Sequence, residues 1–216
     1  MIDSYRHKGL RKKLIAELRN KGIKNEKVLK VMANLPRHFF LDVAFDSWAY
    51  KDVAFPIDAD QTISQPYTVA FQTNLIDVQK SDKILEVGTG SGYQAAILHL
   101  LGAKVYTIER QQQLFTKTSE RLIKLGFPGI RTLFGDGYQG APRFAPYDKI
   151  LVTAGSRSFP EKLFDQLKPG GYMVIPIGDR KVQKMERYTK LNSGEYKKES
   201  FGSFSFVPML TGVNAR

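Results

Sequence analysis

Three acidic or glycine-rich positions in this chain have the residue types and spacing to do chemistry. Gly88, Gly90 and Gly92 alternate in the run Val-Gly-Thr-Gly-Ser-Gly, and an acid, Glu86, stands two residues ahead of them. Alternating glycines after a short apolar run let a ligand approach bare backbone, with the amides of a following helix aimed at it. A second acid, Glu109, closes the next apolar run at 109 − 88 = 21 residues from the first glycine. That is close to the roughly 20 expected of a carboxylate that accepts hydrogen bonds from both hydroxyls of a ribose. The third position is Asp136-Gly137, which reads locally as an Asp-Gly turn after a further apolar run. Cysteine is absent from the chain, so thiolate nucleophiles, thiolate metal sites and disulfides are excluded. His7, His38 and His99 fall outside these runs and read as surface or packing residues, and no metal site is expected.

The elements that must position these residues follow from periodicity. Residues 83–87 and 105–108 are short, apolar and β-favouring, as buried parallel strands are. Residues 94–101 form a helix between them, and 114–125 a crossover helix after the second. Residues 130–134, 149–152 and 172–176 supply three more strands, with a short helix at 160–167. Residues 182–191 and 200–207 alternate as an antiparallel pair joined by Asn192-Ser-Gly194. Ahead of the sheet, 4–19 and 25–34 read as helices, the second capped by Asn25. Phe39, Phe40, Leu41, Ala44, Phe45 and Trp48 are expected to pack that helical prefix onto the sheet. A polar run then leads to a helix at 66–77, for which Ser64 is the local N-cap and Pro66 a first-turn residue.

The glycine spacing separates two cofactor classes. A dinucleotide fingerprint places its third glycine where Tyr93 stands. Glu86-x-Gly88-x-Gly90-x-Gly92 instead resembles the first motif of Rossmann-like S-adenosylmethionine-dependent methyltransferases. The expected architecture is α/β: a doubly wound, mostly parallel Rossmann-like methyltransferase sheet with an N-terminal helical prefix and an antiparallel C-terminal edge. The whole chain, 1–216, is expected to be one domain, with 1–60 as prefix and substrate-side loop and 61–216 as cofactor-binding core and edge strands.

Composition bounds the setting. The 216 residues carry a formal charge of +12, spread over the first two helices and the last forty residues rather than interleaved with aromatics. That pattern reads as a solvated basic surface rather than a nucleic-acid platform. No segment resembles a signal peptide or a membrane span, so a soluble cytoplasmic protein is expected.

Gln61-Thr62-Ile63-Ser64-Gln65-Pro66, ahead of Ile84 to Gly92, resembles the protein-L-isoaspartate (D-aspartate) O-methyltransferase family. The likeness continues through Tyr106 to Arg110, Gly135-Asp136-Gly137, Ala145 to Ala154, Leu167 to Gly171, Val174 to Gly178 and Phe206 to Leu210. It implies methyl transfer from S-adenosyl-L-methionine, giving S-adenosyl-L-homocysteine, to the free carboxylate of L-isoaspartyl and D-aspartyl residues in damaged proteins. A succinimide would then begin their repair. The resemblance assigns Thr62, Ile63, Glu86, Gly88, Thr89, Gly90, Gly92, Glu109, Arg110, Asp136 and Gly137 to the cofactor, with Asp136 accepting from the adenine amino group. It gives Ser64 the acceptor carboxylate, and the backbone of Thr62-Ile63 and Val207 the peptide. Isoaspartyl proteins and peptides are the implied partners, with no nucleic acid, no membrane and a monomeric enzyme expected. A nucleic-acid methyltransferase on the same scaffold is the alternative, but no Asn/Asp-Pro-Pro-Tyr/Phe element supports it. Two departures stand out: Asp58 and Asp60 occupy positions usually held by glycine, and 154–158 lacks the commoner proline. Carboxylates beside an anion site repel the anion unless they are paired.

Overall fold

Parallel strands joined by helices order this chain from residue 83 onward, and a helical prefix lies against one face of them. The computed structural model describes residues 2–215. Helix α1 (Tyr5–Asn20) is capped by Ser4, whose hydroxyl accepts from the His7 amide, and α2 (Glu26–Asn34) by Asn25. Two 3-10 segments, Arg37–Phe40 and Val43–Trp48, follow. Phe40 and Leu41 are buried as expected, but Phe45 and Trp48 are 40% and 41% exposed and gather around Phe55 instead. The second segment runs along the surface, so the expected aromatic seal is only half made. His7 and His38 do pack, with rings stacked 3.9 Å apart.

A two-residue hairpin, β1 (Phe55–Pro56) with β2 (Thr62–Ile63), leads into α3 (Pro66–Ile76). Then come β3 (Lys83–Val87), α4 (Tyr93–Leu100), β4 (Lys104–Glu109), α5 (Gln112–Lys124), β5 (Arg131–Phe134), β6 (Tyr147–Val152), α6 (Glu161–Phe164) and β7 (Leu167–Gly178). Strands β8 (Gln183–Lys190) and β9 (Tyr196–Phe204) finish the sheet. The order is β5-β4-β3-β6-β7-β8-β9, parallel as far as β7 and antiparallel beyond it. The hairpin of β8 and β9 is shifted from expectation. Its turn closes at Leu191 and Glu195, so β9 starts at Tyr196 and ends at Phe204. The residues after it are released to run elsewhere.

Side chains alternate across β3 and β6 in the way a sheet covered on both faces requires. Ile84 and Leu151 face one apolar cluster, and Leu85 and Ile150 the other. The first cluster also holds Leu18, Leu29 and Met32, so the prefix helices share a core with Ala95 and Leu98 of α4. Strands are added outward on one side from β3 to β5 and on the other from β6, so strand order switches sides between the parallel neighbours β3 and β6. Open α/β sheets form their ligand crevice at the carboxyl ends of the strands flanking such a switch.

Candidate active site

Val87 ends β3, and the chain enters the glycine loop with Gly88 at φ 100°, Gly90 at φ 51° and Gly92 at φ 85°. Only residues without a side chain adopt such angles freely. The three do different work. A Cβ on Gly88 would lie 2.5 Å from Thr153 Oγ1, the hydroxyl that donates to the Val87 and Gly88 carbonyls. A Cβ on Gly92 would lie 2.8 Å from Thr118 Cγ2, so that glycine lets α5 close on the loop. Gly90 alone faces open space, with Ile57 the nearest side chain at 3.8 Å. Thr118 pins the loop from below by donating to the Gly90 carbonyl at 2.7 Å.

Glu109 stands at the carboxyl end of β4, 5% exposed. One carboxylate oxygen accepts from the Gly90 amide at 2.9 Å and the other from the Gln111 amide at 3.0 Å. A carboxylate has about four acceptor positions, so two remain for a diol. Glu86 is placed differently from expectation. It is wholly buried within β3, outside the cleft wall, and accepts from Thr107 Oγ1, which lies 2.8 Å from Thr89 Oγ1. Its other oxygen has no hydrogen-bond partner among the described residues, and burial pushes its pKa up to about 8.

The cleft holds about 830 Å³ of space between its walls and its open mouth. Of the expected residues, Thr62, Ile63, Ser64, Gly88, Thr89, Gly90, Glu109, Arg110, Gly137 and Val207 line it. Glu86, Gly92 and Asp136 do not. The Asp136 carboxylate instead accepts from the Tyr138 amide and the Gly212 amide, both at 2.8 Å. Residues missed from the sequence include Gln72 and Gln94 on helices α3 and α4, and Met209 and Leu210 near the C-terminus. Gln94 leaves a buried Oε1 with no hydrogen-bond partner among the described residues. No periodic signal marks such residues, because they belong to covered helix faces or to an irregular tail.

That tail straps the crevice. Gly155 donates to the Val207 carbonyl and Met209 to the Gly155 carbonyl, both at 2.8 Å. Arg110 Nε then donates to the Gly212 carbonyl at 3.0 Å, and the Asn214 amide to the Arg110 carbonyl at 2.8 Å. The Val207 carbonyl thus already accepts one of the two hydrogen bonds it can take, while its amide donates none among the described residues.

Ser64 is not the cap of α3. Gln65 occupies that position without capping the helix, its side chain donating to Asp52 at 3.1 Å, and Asp52 caps from a distance, accepting from the Tyr67 amide at 2.7 Å. The Ser64 hydroxyl has no hydrogen-bond partner among the described residues and lines the cleft. A second cavity, walled by Tyr67, Lys181 and Phe204 to Val207, shares Thr62, Ser64, Thr153 and Val207 with the first. Strand β2 borders both and pairs with β1 along one edge only. Asp58 is paired as an anion site demands: Lys117 Nζ donates to it at 2.6 Å. Asp60 is exposed, with φ 54°.

A glycine loop against a ribose-type acid at the switch of a doubly wound sheet, with an antiparallel β8–β9 edge, defines a Rossmann-like methyltransferase. The family model of protein-L-isoaspartate (D-aspartate) O-methyltransferase matches residues 9–214. The chain belongs to that family. It is 55% identical to a protein-L-isoaspartate O-methyltransferase of Christiangramia forsetii over 99% of this chain and all of that one. A solved protein-L-isoaspartate O-methyltransferase superposes with TM-score 0.82 at 29% identity, covering 92% of this chain and 65% of that longer one. A Plasmodium falciparum structure described as a putative enzyme of this kind in complex with S-adenosyl-L-homocysteine matches at TM-score 0.81, 24% identity, 93% of this chain and 98% of that one.

Proposed function

We infer that this chain methylates the free carboxylate of L-isoaspartyl and D-aspartyl residues in proteins, using S-adenosyl-L-methionine. One observation carries the reading: the cofactor-type cleft and a peptide-type cleft meet at a shared wall that presents the unpartnered Ser64 hydroxyl.

The residues present fit the cofactor. Gly90 faces open space, Glu109 retains acceptor capacity, and Met209 with Leu210 offers apolar cover. Glu109 would hold the ribose hydroxyls, with Thr62, Ile63, Gly88, Thr89, Arg110 and Gly137 around the rest of the molecule. Glu86, Gly92 and Asp136 would act from behind, by fixing the loop and the strap. When bound, S-adenosyl-L-methionine supplies a methyl group on a positively charged sulfur.

The acceptor needs little activation. A carboxylic acid with an ordinary pKa near 4 is ionised at neutral pH, so no side chain has to remove a proton. The cleft wall accordingly contains no histidine and relies on alignment and partial desolvation. Ser64 Oγ would donate to the carboxylate. The open edge of β2 and the Val207 amide would take the peptide backbone as an added strand, which tolerates many sequences. The ester carries methoxide, a better leaving group than the oxygen of a carboxylate, so the neighbouring amide nitrogen attacks its carbonyl, methanol departs, and hydrolysis of the resulting succinimide returns some normal aspartate.

Residues 1–60 serve as acceptor-side scaffold and 61–216 as cofactor core, in one cytoplasmic, monomeric unit acting on damaged proteins rather than nucleic acid. The absence of cysteine fits that setting. No helix among the described residues is long and apolar enough to cross a membrane. The decisive experiment compares an isoaspartyl peptide with its aspartyl counterpart as methyl acceptors. Base-labile methyl ester on the first alone is expected; equal labelling of both, or labelling of RNA only, overturns the reading.

A further inference from the structure

The prefix contributes one side chain whose chemistry its packing does not explain. Arg37 is 1% exposed, the largest of the fully buried side chains. Among the described residues its guanidinium forms a single hydrogen bond, from Nη2 to the Ser64 carbonyl at 3.0 Å, while Nε and Nη1 have no hydrogen-bond partner. No carboxylate pairs with it among the described residues. Asp52 attracts it from a distance without touching it, and its own contact is Lys21 Nζ at 2.7 Å, a cation it shares with Glu17. Tyr93, on the cleft wall, offers its ring face 5.1 Å from the guanidinium. A buried charge without a counter-ion is costly, and a neutral amide would hold one carbonyl at less expense. That charge sits on the carbonyl of Ser64, the residue whose hydroxyl lines the cleft.

We propose that Arg37 is a positioning residue for methyl transfer: it fixes the Ser64 backbone and sets a positive charge, in contact with no carboxylate, behind the hydroxyl, favouring an ionised acceptor. The inference rests on the reading of Ser64 as the carboxylate contact. The other groups facing Arg37 do not supply that charge. Tyr50 and Tyr93 are neutral at physiological pH, burial having raised both phenols, and the remaining charges, Asp52 and Glu17 gathered on Lys21, make no direct contact with the guanidinium.

The test uses the full chain with Arg37→Gln and Arg37→Lys. It measures KM and kcat for an isoaspartyl peptide, calorimetric affinity for S-adenosyl-L-homocysteine, and inhibition by the neutral isoasparagine peptide. Arg37→Gln should raise KM about tenfold, the loss of one charge-assisted contact, with kcat and S-adenosyl-L-homocysteine affinity within threefold of wild type. Its inhibition constant for the isoasparagine peptide should stay within twofold, and Arg37→Lys should recover most of the lost KM. An unchanged KM in Arg37→Gln overturns the proposal. So does an equal loss of affinity for the charged and neutral peptides, which would mean that the loop has merely collapsed. Should Arg37→Gln not fold, the wild type decides. Preference for the isoaspartyl over the isoasparagine peptide by tenfold or more supports the proposal, and equal affinity overturns it. Failure of the underlying reading is distinguishable: wild type would then transfer nothing to the isoaspartyl peptide, or Ser64→Ala would be indistinguishable from wild type.

Discussion

Replacing Glu86 by glutamine should make the protein more stable in mild base and leave it nearly unchanged in mild acid. The carboxyl is wholly buried in β3, accepts one hydrogen bond from Thr107, and titrates at about 8 rather than its ordinary 4.5 because burial disfavours the charged form. The difference is 8 − 4.5 = 3.5 units, and each unit is worth about 1.4 kcal/mol. The sign follows from proton counting. Between these two values the folded state holds a proton that the unfolded state has released, so stability falls as pH rises through the window. From pH 5 to pH 8 the loss is about 3 kcal/mol, most of the full linkage. Glutamine mimics the protonated carboxyl and cannot titrate. Urea unfolding at pH 5, 6.5 and 8 should show the variant within about 1 kcal/mol of wild type at pH 5 and about 3 kcal/mol above it at pH 8. Parallel stability profiles for the two proteins would refute the reasoning, since Glu86 would then titrate alike in both states.

Three further outcomes are expected. Ser64→Ala should cut kcat/KM at least tenfold, the worth of a hydrogen bond to a charged group; because the hydroxyl has no partner to lose, a melting scan should shift by no more than a degree or two. Glu109→Ala should weaken S-adenosyl-L-homocysteine binding by about 2 kcal/mol, since the diol acceptor and the anchor of the Gly90 amide vanish together; calorimetry showing unchanged affinity would remove Glu109 from the ribose site. Lys117→Ala should raise KM for the anionic peptide about threefold at low salt by unmasking Asp58, and this rise should fade at high ionic strength in steady-state assays.

The cofactor half of the site was legible because its parts are tied by stereotyped geometry. A strand, a glycine loop, a helix and a second strand occupy a fixed length, so Glu109 had to arrive beside Gly90 once β3 and β4 paired in parallel. The acceptor half was less legible, because its partners come from afar. Ser64 looked like a cap by local rules, yet the cap is Asp52, 15 residues from the amide it satisfies. Asp136 looked like a ligand contact or a turn, and it also takes the amide of Gly212, 76 residues away. Lys117, which answers the awkward charge of Asp58, is 59 residues distant. No propensity or spacing rule encodes such pairs; they exist only once the tail and the prefix have docked.

That contrast has a mechanical consequence. Gly88 to Glu109 hang from the centre of a seven-stranded sheet, where β3 is paired on both sides and buried on both faces. Thr62 to Ser64 hang from a two-residue strand with one partner, followed by a helix start that cannot cap itself. Their order is imported: Asp52 and Lys21 hold the first turn of α3, Arg37 holds the Ser64 carbonyl, and Arg121 ties the Phe40 carbonyl of the prefix to the Ser91 carbonyl of the glycine loop. Changes in the prefix should therefore register in acceptor KM before they register in cofactor affinity. A short strand edge braced from outside also suits an enzyme that meets its acceptor in many sequence contexts. The backbone edge supplies generic pairing, while a single hydroxyl with positive charge behind it reads the one feature that all acceptors share, a carboxylate displaced from its normal place.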